Sequence, residues 1–279
     1  MKKHLSTVLL LLVLLVGVTL LLYPTVSDYY NSFHRSRAIA TYVQQVDVLD
    51  ENLYAEDWQA AIAYNQTLPS KRNRFYMSDE EREAYDKLLD VTGLGIIGYI
   101  EIPTIDVSLP IYHGTSAGVL QIAIGHIEGS SLPTGGPSTH SAFSGHRGLP
   151  SAKLFTRLDE MAIGDLFSLR VLDEVMTYEV DQITIVEPYD VSGLDIVEGE
   201  DLCTLVTCTP YGVNTHRLLV RGHRVENPEQ AVAIRVVADA TQIDPLLVAP
   251  VVAAPILLLL LVVLMVSTAG SGKKKRKER

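Results

Sequence analysis

The chain has 279 residues, 47% of them hydrophobic, with 23 Lys and Arg against 33 Asp and Glu. That length suffices for one medium domain with accessory segments. Eight of the basic residues sit at the two termini, leaving 15 against 32 acids between them, a net of −17 that excludes a nucleic-acid surface and suits a soluble domain held off an anionic membrane.

Residues 5–23 are almost purely aliphatic and follow Lys2 and Lys3. As a helix they span about 28 Å, one hydrocarbon core. The run exceeds a usual signal-peptide core, and Tyr23-Pro24-Thr25-Val26-Ser27 is a poor small-residue cleavage site, so residues 1–27 read as an uncleaved anchor. Residues 28–94 read as a helical extension. Leu53, Trp58, Ala61 and Ile62 give residues 50–64 an apolar stripe at helical spacing, which assigns Trp58 to packing. Ser78 followed by Glu81 forms a capping-box pattern that predicts a helix over 79–90. A polar, basic loop spans 67–76.

From Gly95 the pattern turns to short β-type runs with Gly/Pro punctuation. Strands are predicted at 96–103, 105–112, 120–125, 141–145, 165–172, 175–186, 202–208 and 216–224, with one short helix near 152–158. The fold class is mainly β, a closed or nearly closed barrel over 95–226. Beyond it, 227–244 reads as a helical linker and 245–269 as a charge-free second transmembrane helix. The basic tail of 270–279 marks the cytoplasmic side, which places both termini inside and the barrel outside.

Cys208 ends an apolar strand. At about 3.3 Å per residue Cys203 stands about 16 Å from it on the opposite face, so no disulfide is expected. Cys203 then serves as a small buried apolar residue and Cys208 as a free thiol, the nucleophile candidate. His146, framed by Gly145 and Gly148, is a general acid/base candidate. Arg217, at the start of the following strand, stays protonated and suits an oxyanion or substrate carbonyl. His126, His140, His146 and Cys208 lack tight metal-ligand spacing, so no metal or other cofactor is expected.

The run Thr204-Leu205-Val206-Thr207-Cys208-Thr209-Pro210-Tyr211-Gly212-Val213-Asn214-Thr215-His216-Arg217-Leu218-Leu219-Val220-Arg221-Gly222 resembles the active-site segment of sortases of the pilus-assembling class C. Gly98-Tyr99-Ile100-Glu101-Ile102-Pro103, Leu109-Pro110-Ile111-Tyr112-His113-Gly114 and Ser144-Gly145-His146-Arg147-Gly148-Leu149-Pro150 resemble it as well. The resemblance implies an eight-stranded sortase barrel and a catalytic triad of His146, Cys208 and Arg217. It also implies cleavage of the Thr–Gly bond in a Leu-Pro-any-Thr-Gly (LPXTG) sorting signal. The product would be transferred to a lysine of a pilin subunit at a Gram-positive cell surface.

The family's lid carries an Asp-Pro-aromatic motif that this chain lacks. Phe75 or Tyr76 supplies the ring, Arg72 and Arg74 stand where an acid is expected, and the expectation is a lid that is absent, open or weakly docked. Rival readings are a sortase joining surface proteins to the cell-wall peptide and a catalytically silent, membrane-tethered scaffold barrel.

Overall fold

The computed structural model describes residues 2–228. The linker, second transmembrane helix and basic tail anticipated beyond them lie outside the described residues. Helix α1 (Lys2–Asp47) is continuous, passing through Pro24. Its first turns expose Leu9, Leu10, Leu12, Leu20 and Leu21. Among the described residues it is the one helix long and apolar enough to cross a membrane. An exposed apolar face of that extent suggests membrane anchoring.

The other end of α1 docks on the barrel. Ile39, Tyr42 and Val46, spaced at i, i+3 and i+7, are buried in the main core. The Tyr42 hydroxyl donates to the Ile97 carbonyl at 2.8 Å and accepts from the Leu172 amide at 2.7 Å. A buried phenol with both roles filled avoids the penalty of an unmade bond.

Helix α2 (Glu51–Thr67) lays Ala61 into the core, and Trp58 packs partly buried beside Tyr54, their rings stacked 6.3 Å apart. Helix α3 (Asp79–Tyr85) opens on the predicted capping box: the Glu81 amide donates to Ser78 Oγ and the Ser78 amide to Glu81 Oε2. It stops at Tyr85, five residues before the predicted end at 90. Tertiary bonds override helix propensity there: His113 Nε2 takes the Leu88 carbonyl at 2.7 Å, and Leu89 turns left-handed to enter the core.

Eight strands close the barrel in the order β1-β2-β3-β4-β7-β8-β6-β5. They are β1 (Ile96–Ile102), β2 (Val107–His113), β3 (Ile124–His126), β4 (Thr139–Ser144), β5 (Leu166–Val171), β6 (Glu174–Val186), β7 (Asp201–Thr209) and β8 (His216–Val225). The pairs β2–β3 and β4–β7 are parallel; the others are antiparallel.

Two local assignments change. Where a strand was expected over 120–125, helix α4 (Ala117–Ile122) forms first, capped by Ser116 Oγ, and β3 is only three residues long. Short apolar runs do not distinguish the two periods, and the Ser116 cap decides. The helix expected over 152–158 is a series of turns ending in a 3-10 turn at Leu158–Glu160. Its amides bond elsewhere, Lys153 N to Asp28 Oδ1 and Phe155 N to the His146 carbonyl, and Leu154 has positive φ.

Two buried histidines make the fold acid-sensitive. His126 bonds the Tyr85 hydroxyl through Nδ1 and the Ser131 carbonyl through Nε2. Burial lowers it to about 3, and burial likewise lowers His140 to about 4. Both are therefore neutral in the native state, whereas the unfolded chain protonates them below 6.5. Stability is held above that pH and falls as pH drops towards the folded values, by up to about 1.4 kcal/mol per pH unit for each histidine. Urea unfolding followed from pH 7 to 4 should show this slope, and His126→Asn should reduce it by about half.

Candidate active site

Outward-facing residues of β4, β7, β8 and β6 build one platform. On β7, Cys203 and Leu205 point into the main core, whereas Val206 belongs to a second, outer cluster with Ala142, Leu194 and Leu219. Side chains alternate along a strand, so Cys208 shares the outer face with Val206. Across the ladder Cys208 pairs with Arg217, Val206 with Leu219 and Thr204 with Arg221. Cys208 and Arg217 are half-buried, at the open end of this platform.

His146 reaches the same place from the other side. The parallel β4–β7 ladder pairs Ser144 with Val206. It continues past the strand end: the Gly145 amide donates to the Val206 carbonyl at 3.0 Å, and Thr207 Oγ1 to the Gly145 carbonyl at 2.7 Å. That register sets residue 146 alongside residue 208. Cys208 thus lies between Arg217, its partner across the β7–β8 ladder, and the segment that continues β4 past Ser144 into His146. Gly145 has no room for a side chain, since a Cβ there would stand 2.6 Å from the Phe155 ring.

The His146 imidazole is half-buried, and desolvation lowers its pKa from 6.5. Arg217 Nη1 donates to the His216 carbonyl at 3.0 Å, and among the described residues no acid pairs with it. Nη1 also stands 3.4 Å from the Asn214 carbonyl, so backbone carbonyls hold the guanidinium of the residue that the ladder pairs with Cys208. Cys203 is fully buried, and burial pushes its thiol well up; neither cysteine is in a disulfide. His126 and His140 belong to packing: His140 Nδ1 meets the Asp195 carbonyl and Nε2 meets Thr204 Oγ1.

The segment before α3 corrects an expectation. It is neither open nor weakly docked. Arg74 is buried, with Nη2 donating to the Leu194 carbonyl at 2.7 Å and standing 3.6 Å from Asp195 Oδ1, and Nη1 3.4 Å from the Gly129 carbonyl. The Arg74 guanidinium lies 4.5 Å from the Phe75 ring centroid. Phe75 itself packs against the outer cluster that includes Val206 and Leu219, one step up the platform from Cys208 and Arg217. Tyr76, the other ring candidate, is 84% exposed. A base bonded to carbonyls replaces the expected acid, a substitution no local sequence rule foretells.

Arg147 was also missed. It ion-pairs with Asp159, donates to Thr209 Oγ1 at 3.4 Å and lies over the Tyr211 ring at 5.7 Å. It thereby ties the residue after His146 to the residue after Cys208. The only sequence signal was its place beside His146.

The comparisons with known proteins agree with this fold. The family model described as the sortase domain matches residues 100–225. The crystal structure of sortase C1 from Streptococcus agalactiae is 53% identical, with a TM-score of 0.66 over 69% of this chain and 100% of that one. Sortase C of Streptococcus pneumoniae is 46% identical, with a TM-score of 0.62 over 68% of this chain and 97% of that one. Among curated proteins, sortase D of Bacillus subtilis is 32% identical over 46% of this chain and 63% of its own length. Sortase A of Streptococcus agalactiae is 31% identical over 50% and 57%. The match thus spans less than two thirds of these curated relatives. With a closed barrel of this strand order and a cysteine, histidine and arginine at one platform end, the chain belongs to the sortase family of cysteine transpeptidases, on its class C branch.

Proposed function

We propose that this protein is a membrane-anchored transpeptidase that cleaves the Thr–Gly bond of an LPXTG-type sorting signal and joins the threonine to a lysine of a pilin subunit. The observation that carries this reading is the register that sets Cys208 across from Arg217 and alongside residue 146.

The Cys208 thiolate, its proton passed to the His146 imidazole, attacks the threonine carbonyl carbon, and Arg217 donates to the oxygen as charge develops. His146 delivers a proton to the departing glycine amine, leaving a thioester. The lysine amine then attacks that thioester and gives up its proton to His146, and the thiolate leaves as the isopeptide bond forms. No cofactor is required. In this reading residues 1–27 anchor the chain, 28–94 form the extension and lid, and 95–226 are catalytic and extracellular. The segment 245–269 is a second span, with both termini cytoplasmic.

The experiment is mass spectrometry of the full chain with a Leu-Pro-any-Thr-Gly peptide, then with a lysine-bearing pilin segment. The expected result is a protein adduct lacking the glycine, discharged onto the lysine. Discharge only onto a wall-peptide amine would replace pilus assembly by wall anchoring. No adduct at all would leave a scaffold.

Phe75 supports a lid role, and its seat gives a direct test. Gly129 has φ +85°, and a Cβ there would stand 2.0 Å from the Arg74 carbonyl oxygen. Backbone cannot yield by that much, so Gly129→Ala should displace the 71–77 segment. Alkylation of Cys208 is then expected to accelerate about tenfold or more, an opening worth at least about 1.4 kcal/mol. An unchanged labelling rate would remove Phe75 from any lid role.

A further inference from the structure

One stripe of α1 faces the barrel along its whole extramembrane length, and its chemistry changes partway. Ile39, Tyr42 and Val46 are the apolar part, pinned to the core. Continuing towards the membrane at the same helical spacing, the stripe reads Arg35, Asn31 and Asp28. These polar residues meet the loop that His146 opens. Asn31 Nδ2 donates to the Ser151 carbonyl at 2.8 Å, and Asp28 Oδ1 accepts the Lys153 amide at 2.9 Å. Asp28 Oδ2 also lies 3.9 Å from Lys153 Nζ, and Arg35 Nη2 lies 3.5 Å from Asp28 Oδ1.

The gripped segment is bonded back to the His146 backbone. The Phe155 amide donates to the His146 carbonyl at 3.1 Å, and the Gly148 amide to Thr156 Oγ1 at 3.1 Å. A bridge joins Leu149 and Ala152, and Ala152, Leu154 and Phe155 are buried. Residues 146–156 are therefore one closed loop. It is held by β4 at its start and by α1 at its middle, over residues 151–153.

We propose that Asp28 and Asn31 are positioning residues for His146, holding the 151–153 backbone so that the imidazole faces Cys208. The inference rests on the acid/base role given to His146 above. Asp28 lies about 7.5 Å along the helix from Tyr23, at 1.5 Å per residue. The first extramembrane turns therefore do more than tether: tilting the helix moves the loop that carries the imidazole.

The test uses the full chain in detergent or bilayer discs with the sorting-signal peptide. For Asp28→Ala with Asn31→Ala, kcat should fall about tenfold with KM within about twofold, because small misplacements of a catalytic group act on the reacting step. The acid limb of the pH–rate profile should shift with it. Asp28→Asn keeps the oxygen that accepts the Lys153 amide and should restore near-normal kcat and the original limb. A change that only loosens the fold would lower the melting temperature without that rescue or that shift.

If the double variant does not fold, Asn31→Ala alone is read in the same way. Wild-type kcat and pH profile in a folded variant would overturn the inference. His146→Ala separates the two ideas: if it stays active, the acid/base reading fails, and if it is dead while the helix variants are normal, only the positioning role fails.

Discussion

Cys208→Ala is expected to abolish both the covalent peptide adduct and turnover, a loss of roughly ten-thousandfold or more. No other group in the described site can hold the acyl chain: Cys203 is fully buried on the inner face of the same strand, and its thiol is pushed up, so it carries no thiolate at neutral pH. The paired measurement is Cys203→Ala, which trades a small buried side chain for a slightly smaller one. It should cost about 1 kcal/mol of stability and leave turnover within about twofold. An adduct that persists in Cys208→Ala, or a Cys203→Ala variant that is folded and inactive, would reverse the two assignments.

His146→Ala should lower turnover by about 10²–10⁴-fold, the usual worth of a positioned acid/base. Its pH signature is more discriminating. Burial places the imidazole below its ordinary 6.5. Both the doubly protonated pair and the pair that has lost both protons are inactive, since the reaction needs one proton shared between imidazole and thiol. Activity should therefore rise with pH through an acid limb below 6.5 and fall again once that last proton is lost. In His146→Ala that limb should vanish from the residual rate. Arg217→Ala should leave the limb in place and lower kcat by about 10²-fold, the scale of one lost oxyanion donor. Arg217→Lys should recover little, because an ammonium cannot reproduce the planar fork. A limb unmoved in His146→Ala would assign it to another group.

Much of the barrel was legible because its signals are local. Alternation and turn residues placed β1, β2, β4, β5, β6, β7 and β8 within a few residues, and Ser78 with Glu81 marked the start of α3. The errors fell where one short apolar run fits two periods, at α4, or where loop amides find distant partners, at residues 152–158. The end of α3 failed for the second reason, since the bond from His113 to Leu88 is invisible in the sequence.

The covalent sequence by itself determined which atoms are available for chemistry: one strand-end thiol, a glycine-framed imidazole and a guanidinium on the next strand, behind an apolar helix long enough to anchor in a bilayer. Period-two alternation also determined that Cys203 and Cys208 face apart. Tertiary structure alone decided what surrounds them. Only a parallel β4–β7 ladder brings residue 146 beside residue 208, only the glycine seat at 129 lets Arg74 and Phe75 settle on the platform, and only the docked α1 puts Asp28 and Asn31 on the histidine loop. Each of these contacts joins residues far apart in the chain through backbone carbonyls and amides, groups that every residue carries and no motif encodes.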